Sequence, residues 1–151
     1  MADFAEIKSS DNIVFRVVVI NDEDIASKTE AEAEAWVAAN IVNQPGIDPY
    51  PSTYWKQTWL DGSQRYNGAG EGMFFDSTAN AFYWKDGPFA SWTLNTSTYK
   101  WEAPSAHPGD DNINSNEIVS WNEDDTRWQK KTDTDLNDTH YWNGSSWVEI
   151  I

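Results

Sequence analysis

His107 and His140 are the only imidazoles in this chain of 151 residues, and there is no cysteine. Neither histidine stands at a zinc-ligand spacing from a second ligand. No G-x-S-x-G elbow occurs, and two isolated histidines do not make a Ser–His–Asp arrangement. Carboxylates are plentiful, with 25 Asp and Glu, but a glycosidase-type pair needs one carboxyl held out of water. No position in the sequence singles one out. The stretch "NGAGEG" at 67–72 has the glycines of a phosphate loop without its Lys-Ser/Thr ending. It carries Glu71 where an anion would sit, so it reads as an irregular turn. The sequence therefore predicts no catalytic residue, no cofactor and no enzyme.

Calcium has a closer pattern. "GDDNINSNE" sets oxygen ligands at Asp110, Asn112, Asn114 and Asn116, and "TDTDLND" sets them at Asp133, Asp135 and Asn137. Both resemble the first half of a calcium loop. Neither has glycine at the sixth position, and Trp121 and Gly144 occupy the twelfth, where a bidentate Glu belongs. Solvated loops at 110–116 and 133–137 are the expectation, with no metal bound.

The tryptophans hold the remaining chemistry. The chain closes on "YWNGSSWVEII", where Trp142 and Trp147 lie five apart around Gly144-Ser145, a pair suited to a type II′ turn. Trp121 and Trp128 are seven apart around Asp124-Asp125, and Leu94 and Tyr99 five apart around Thr96-Ser97. Phe75 and Phe82 are seven apart around Thr78-Ala79, where a four-residue connection fits better. Residues opposed across a tight hairpin are an odd number apart, so each pair is predicted to meet across a ladder. Most such rings belong to a core. Those left uncovered can stack on a sugar or anchor a protein interface. Trp92, Trp101, Trp121, Trp128, Trp142 and Trp147 are the candidate residues for that role. Alternation puts Trp142 and Trp147 on one face and Tyr141, Val148 and Ile150 on the other, so the terminal hairpin is apolar on both faces and needs cover.

Elements that position these rings follow from the pattern. "DFAEI" and "IVFRVVVI" flank the turn-forming "KSSDN", which predicts an N-terminal β-hairpin. The second strand is apolar on both faces apart from Arg16 and is expected at the centre of its sheet. One helix is predicted near 29–43. Thr29 with Glu32 fits a capping box, and "QPG" ends it at 44–46. Ala31, Ala35, Ala38 and Val42 give its apolar stripe, broadened by Trp36, Val37 and Ile41. "STYWKQTWL" alternates, with Trp55, Gln57 and Trp59 on one side. From position 72 onward short aromatic runs alternate with Asn, Asp, Ser, Thr and Gly, the texture of antiparallel hairpins. The fold class expected is α+β, mostly β: an N-terminal β-hairpin with one α-helix, then an aromatic-rich antiparallel hairpin sheet. The expectation is one domain over 1–151, with a hairpin-and-helix part at 1–50, a β-rich part at 51–151, and an extended loop or arm at 103–117.

Composition limits the partners. Ile, Val, Leu and Phe together number 27, about 18% of the chain, beside a net charge of −15. That combination alone signals disorder, but ten Trp and six Tyr supply the missing apolar area. The charge repels phosphate backbones and anionic membranes, and no basic cluster offsets it, so neither nucleic acid nor membrane is an expected partner. "MADFAEIKSS" has no basic start or apolar run, so no signal peptide is expected. The sequons at Asn95, Asn137 and Asn143 read as coincidence in a chain rich in Asn, Ser and Thr.

The run "YWKQTW…YNGAGEGMFFDSTANAFYWKDGPFASWTLNTSTYKWEAP" and the opening "MADFAEI…NIVFRVVVINDEDIA" resemble short, mostly uncharacterised virion proteins of tailed phages of marine bacteria, cyanophages among them. The W-K-Q-T, P-F-x-S-W and W-E-A-P elements carry the likeness, which covers most of the chain. The resemblance implies a non-enzymatic structural protein located in the virion. The foremost role is capsid decoration or cement, oligomeric or arrayed in the particle and bound to the major capsid protein. A tail, fibre or baseplate accessory protein bound to tail components is the alternative; the tryptophans themselves, if exposed, suit a carbohydrate-binding module for a surface glycan.

Overall fold

The computed structural model describes residues 1–151. Its elements are mostly short antiparallel strands with two helices, the α+β, mostly-β class that the sequence predicts. The chain divides into two compact units. One comprises Met1–Asp86 with Ser97–Tyr99, the other Gly87–Thr96 with Lys100–Ile151. The change of texture at position 51 is not where they part, because a strand beyond it completes the first sheet.

In the first unit, β1 (Ala2–Lys8), β2 (Val14–Ile20) and β3 (Thr53–Thr58) form a sheet in the order β2-β1-β3. The central strand is thus β1, not β2 as expected. Apolarity on both faces of β2 does not say on which side the third strand returns. β3 docks on β1, pairing Glu6 with Trp55 and Phe4 with Gln57, and leaves Val19 of β2 57% exposed. Layers cover both faces of β1, so Phe4, Ala5, Glu6 and Ile7 are all buried. On one face Phe4 packs with Ile20, Trp55, Ala33 and Val37. On the other, Ala5, Ile7 and Val14 pack with Ala69, Met73, Phe75 and Phe82. The last two belong to a hairpin of β4 (Phe74–Asp76) and β5 (Ala81–Tyr83). Buried Glu6 accepts hydrogen bonds from Tyr50 Oη (2.9 Å) and Thr53 Oγ1 (2.6 Å) and pairs with Arg16, which satisfies a charge that burial would otherwise penalise.

A short helix, α1 (Asp22–Ile25), precedes the predicted one, α2 (Glu30–Asn40). The capping box forms as the sequence indicates, with Thr29 N–H donating to Glu32 (2.8 Å) and Glu32 N–H to Thr29 Oγ1 (3.3 Å). The apolar stripe differs from expectation. Ala33 and Val37 are buried and Trp36 and Ile41 half-buried, whereas Ala31, Ala35, Ala38 and Val42 are exposed. A face carrying Trp, Val and Ile removes more area from water than one built mainly of alanines, and it also lets Glu34 reach Lys56 Nζ (2.9 Å) and Gln57 N (3.0 Å) on β3.

The second unit has no aliphatic cluster. Its strands are β6 (Thr93–Asn95), β7 (Lys100–Glu102), β8 (Glu117–Asn122), β9 (Arg127–Thr132), β10 (His140–Trp142) and β11 (Trp147–Glu149). The last four make an antiparallel sheet in the order β11-β10-β9-β8, and β6 pairs with β7. Only Pro108, Trp121 and Gln129 are buried in this unit.

Three hairpins share one design. Phe75 faces Phe82, Leu94 faces Trp101 and Trp121 faces Trp128, each pair seven residues apart. Leu94 therefore does not meet Tyr99, as a two-residue turn would require. In each hairpin a paired Asp or Asn (Asp76, Asn95, Asn122) precedes a four-residue connection whose last residue is left-handed: Asn80 (φ 53°), Tyr99 (φ 53°) and Thr126 (φ 48°). Asp76 Oδ1 accepts from Thr78 and Ala79 N–H, and Asn122 Oδ1 from Asp125 N–H, so these side chains initiate the turns. The left-handed region is poorly suited to a β-branched residue. Thr126→Asn, which installs the residue found at the matching position 80, is expected to raise stability by about 1 kcal/mol, measured by urea denaturation.

Candidate functional site

The six candidate tryptophans all lie in the second unit, and β-pairing and loop contacts hold them in place. Trp121 and Trp128 meet edge to face with centroids 5.3 Å apart, and Trp92 packs against both at 6.1 and 5.8 Å. Phe89 and His107 extend the cluster at 5.7 Å from Trp92 and 4.7 Å from Trp128. These separations and tilts suit the aromatic quadrupole. Trp101 stands opposite Leu94, its ring so close to Gly87 that a Cβ there would approach it to 2.7 Å. Trp142 and Trp147 pair with centroids 5.3 Å apart, away from this cluster in the terminal hairpin. Of the six, only Trp121 is buried; the other five are half-buried.

Indole N–H groups explain how the loop at 103–117 is held. Expected as an extended loop or arm, it runs through a 3-10 turn at Asp110–Asn112. Trp128 Nε1 donates to the Ser105 carbonyl (3.0 Å) and Trp147 Nε1 to that of Asn112 (2.7 Å). Donors in a sheet thereby satisfy backbone acceptors that a free arm would leave to water. Trp121 Nε1 donates to Glu123 (2.8 Å), which also accepts from Ser91 N (2.8 Å) and Oγ (2.7 Å). Trp92 Nε1 is buried with no partner.

One cation lies against a ring on each face of the terminal hairpin. Trp142 and Trp147 do share one face and Tyr141 and Val148 the other. Arg127 lies 4.3 Å from the Tyr141 ring centroid, and Lys130 4.7 Å from that of Trp147.

Trp92, Trp101 and Trp128, with His107, Glu102 and Ser105, line a surface cleft of about 430 Å³. His107 Nδ1 accepts the Gly109 N–H (3.1 Å), which places the proton of the neutral ring on Nε2. Glu102 Oε1 accepts from Asn95 Nδ2 (2.8 Å).

No protein-family model, curated protein or solved structure matches this chain.

Asp135 and Asn112 of the acidic loops bond within their own turns. Asp135 accepts from Thr132 Oγ1 (2.7 Å) and N (3.0 Å), and Asn112 Nδ2 donates to the Pro108 carbonyl (2.8 Å). No group of three or more His, Asp or Glu side chains lies together. His140 Nδ1 shares a hydrogen bond with Thr139 Oγ1 (2.9 Å).

Sequence reasoning picked out neither Trp84, 54% exposed, nor the parts His107 and Glu123 play around the cluster. The recurrent Asp or Asn, four-residue loop and ring was the available signal: it fixes the register that puts Trp101 rather than Tyr99 opposite Leu94.

Three carboxyls of this unit sit below the usual carboxylate range. Hydrogen bonds from Asn114 N–H and then Lys130 lower Glu117, those from Ser91 and Trp121 lower Glu123, and those from the Thr132 hydroxyl and N–H lower Asp135. A carboxyl that ionises more readily when folded stabilises above its unfolded pKa, and that gain is lost as pH falls through the folded value. Thermal melts are expected to be flat near neutrality and to drop as pH falls below roughly 4.3, with Glu123→Gln flattening part of the drop.

The tryptophan N–H groups make a contrasting pair. Trp128→Phe keeps a ring but loses the bond to Ser105, and is expected to cost about 1 kcal/mol and to speed amide exchange at 103–109. Trp92→Phe removes an unpaired buried donor and is expected to be neutral or stabilising by up to about 1 kcal/mol. Urea titrations of both variants check this.

Proposed function

We propose that this chain is a non-enzymatic structural protein of a marine phage particle, foremost a capsid decoration or cement protein. It would hold neighbouring virion proteins through the aromatic hairpins of its second unit. The observation that carries this reading is the incomplete burial of the candidate rings: five of six are half-buried and Ile118 on β8 is exposed, on hairpins that hold their geometry. Large rings pre-set on rigid strands lose little entropy when a partner covers them, which is the physical basis of aromatic hot spots. The resemblance of "PFASW" and "KWEAP" to virion proteins supports that partner class. The net charge of −15 favours assembly in salt, where repulsion between acidic copies is screened.

Quantitative mass spectrometry of purified particles tests the reading. Hundreds of copies per particle support the head role, and a handful moves the protein to the tail, fibre or baseplate. Absence from particles ends the proposal.

A further inference from the structure

We propose that the cleft lined by Trp92, Trp101 and Trp128 binds a neutral pyranose sugar, such as a residue of a surface polysaccharide. This inference does not depend on the particle assignment. It rests on how the rings are held, on the polar groups beside them and on charge.

Each aromatic side chain of the cleft is locked by a contact of its own. Trp101 lies against the Gly87 backbone, where no Cβ fits. Trp128 is fixed by its bond to Ser105 and His107 by the one from Gly109. Trp92 is wedged between Phe89, Trp121 and Trp128. Side chains already ordered in this way lose little freedom when a ligand covers them.

Ring faces carry negative quadrupole density, which attracts the polarised C–H face of a pyranose. Its hydroxyls then need donors and acceptors at the edge. Glu102 is acceptor-only, with one oxygen held by Asn95, and His107 offers Nε2–H. The volume of about 430 Å³ lies in the range of small-ligand sites.

Two other ligand classes stack on aromatics. Nucleic acid bases do so, but a chain of net charge −15 repels the phosphates that come with them. Proline-rich segments dock in aromatic grooves through ring contacts and carbonyls, yet proline has no N–H to give to the Glu102 carboxylate. A sugar hydroxyl donates its O–H there.

The test titrates the full chain with neutral gluco-, galacto- and manno-oligosaccharides, following tryptophan fluorescence and heat. Dextran sulfate and a proline-rich peptide are run in parallel. Saturable binding of a neutral oligosaccharide is expected, insensitive to salt and weakened roughly tenfold or more by Trp101→Ala. Glu102→Gln, at an exposed position, weakens it by roughly threefold, and Val19→Ala, at an exposed position of β2 outside the cleft, leaves it unchanged. Circular dichroism confirms that each variant is folded, and Glu102→Gln decides the matter if Trp101→Ala is not. No saturable binding of any neutral oligosaccharide at millimolar concentration overturns the proposal. So does binding that ignores both cleft substitutions, or a peptide that binds where the sugars do not.

Discussion

Arg65→Met is expected to destabilise the protein by about 3–5 kcal/mol and to lower its melting temperature by on the order of 10 °C. Arg65 sits in the loop between β3 and β4 with a left-handed backbone (φ 58°) and only 8% exposure. Its guanidinium joins every layer of the first unit. It donates to Asn80 Oδ1 at 2.9 Å, to the Gln57 carbonyl on β3 and to Glu30 on α2, with Glu34 at 3.7 Å. The rings of Trp59 and Phe75 flank it at 5.5 and 5.8 Å. Methionine keeps most of the stem's packing, so the loss isolates the charge and its forked hydrogen bonds. It leaves the Gln57 carbonyl and Asn80 Oδ1 short of a donor and takes a cation from beside Glu34 in a place water reaches poorly. Arg65→Lys is expected to fall between parent and Met variant, because one ammonium cannot reproduce the planar fork. Urea unfolding followed by circular dichroism reads all three. A Met variant within 1 kcal/mol of the parent would mean that the helix and the hairpin are held by their apolar faces alone.

The second large effect lies in the other unit. Trp121→Ala is expected to cost about 3–5 kcal/mol, and its damage should be local. Trp121 is the one buried tryptophan of the aromatic cluster, touching Trp92 and Trp128 and holding Glu123, which in turn holds Ser91. With no aliphatic cluster to share the load, removing this ring leaves a cavity among partners that strand pairing keeps from closing. Hydrogen exchange is the direct readout. Amides of β8 and β9 should lose protection, while those of β1 and β2, which rest on Phe4, Ile7 and Val14, keep theirs. Trp121→Phe preserves most of the contact area and loses the bond to Glu123, for a smaller loss of about 1–2 kcal/mol. Uniform loss of protection across both units in the alanine variant would contradict the division into separately cored units.

The same two residues mark how far the sequence can be read. Trp121 is visible in it, because its spacing from Trp128 and the intervening Asn and Asp announce a hairpin. Arg65 is not: "DGSQRYNG" reads as a polar loop, and nothing local shows that its arginine turns inward. Paired rings replace aliphatics in the second unit. The first unit is cored by Phe, Ile, Val, Ala and Met on both faces of β1.

By itself the sequence determined the features whose causes are local. Odd spacings across turn formers gave the ring pairs 75–82, 121–128 and 142–147, Thr29 and Glu32 gave the start of α2, and the missing thiols and sparse imidazoles limited the chemistry. Tertiary structure decided what depends on distant segments. It put β1 at the centre of its sheet, because β3 returns to that side. It chose which face of α2 is buried, because Trp36 and Val37 find the sheet. It folded the loop at 103–117 into a cleft wall, because indole donors from β9 and β11 meet its carbonyls. Hydrogen-bond partners and burial are properties of pairs of segments, and the residues that supply one side of a pair do not encode where the other will be.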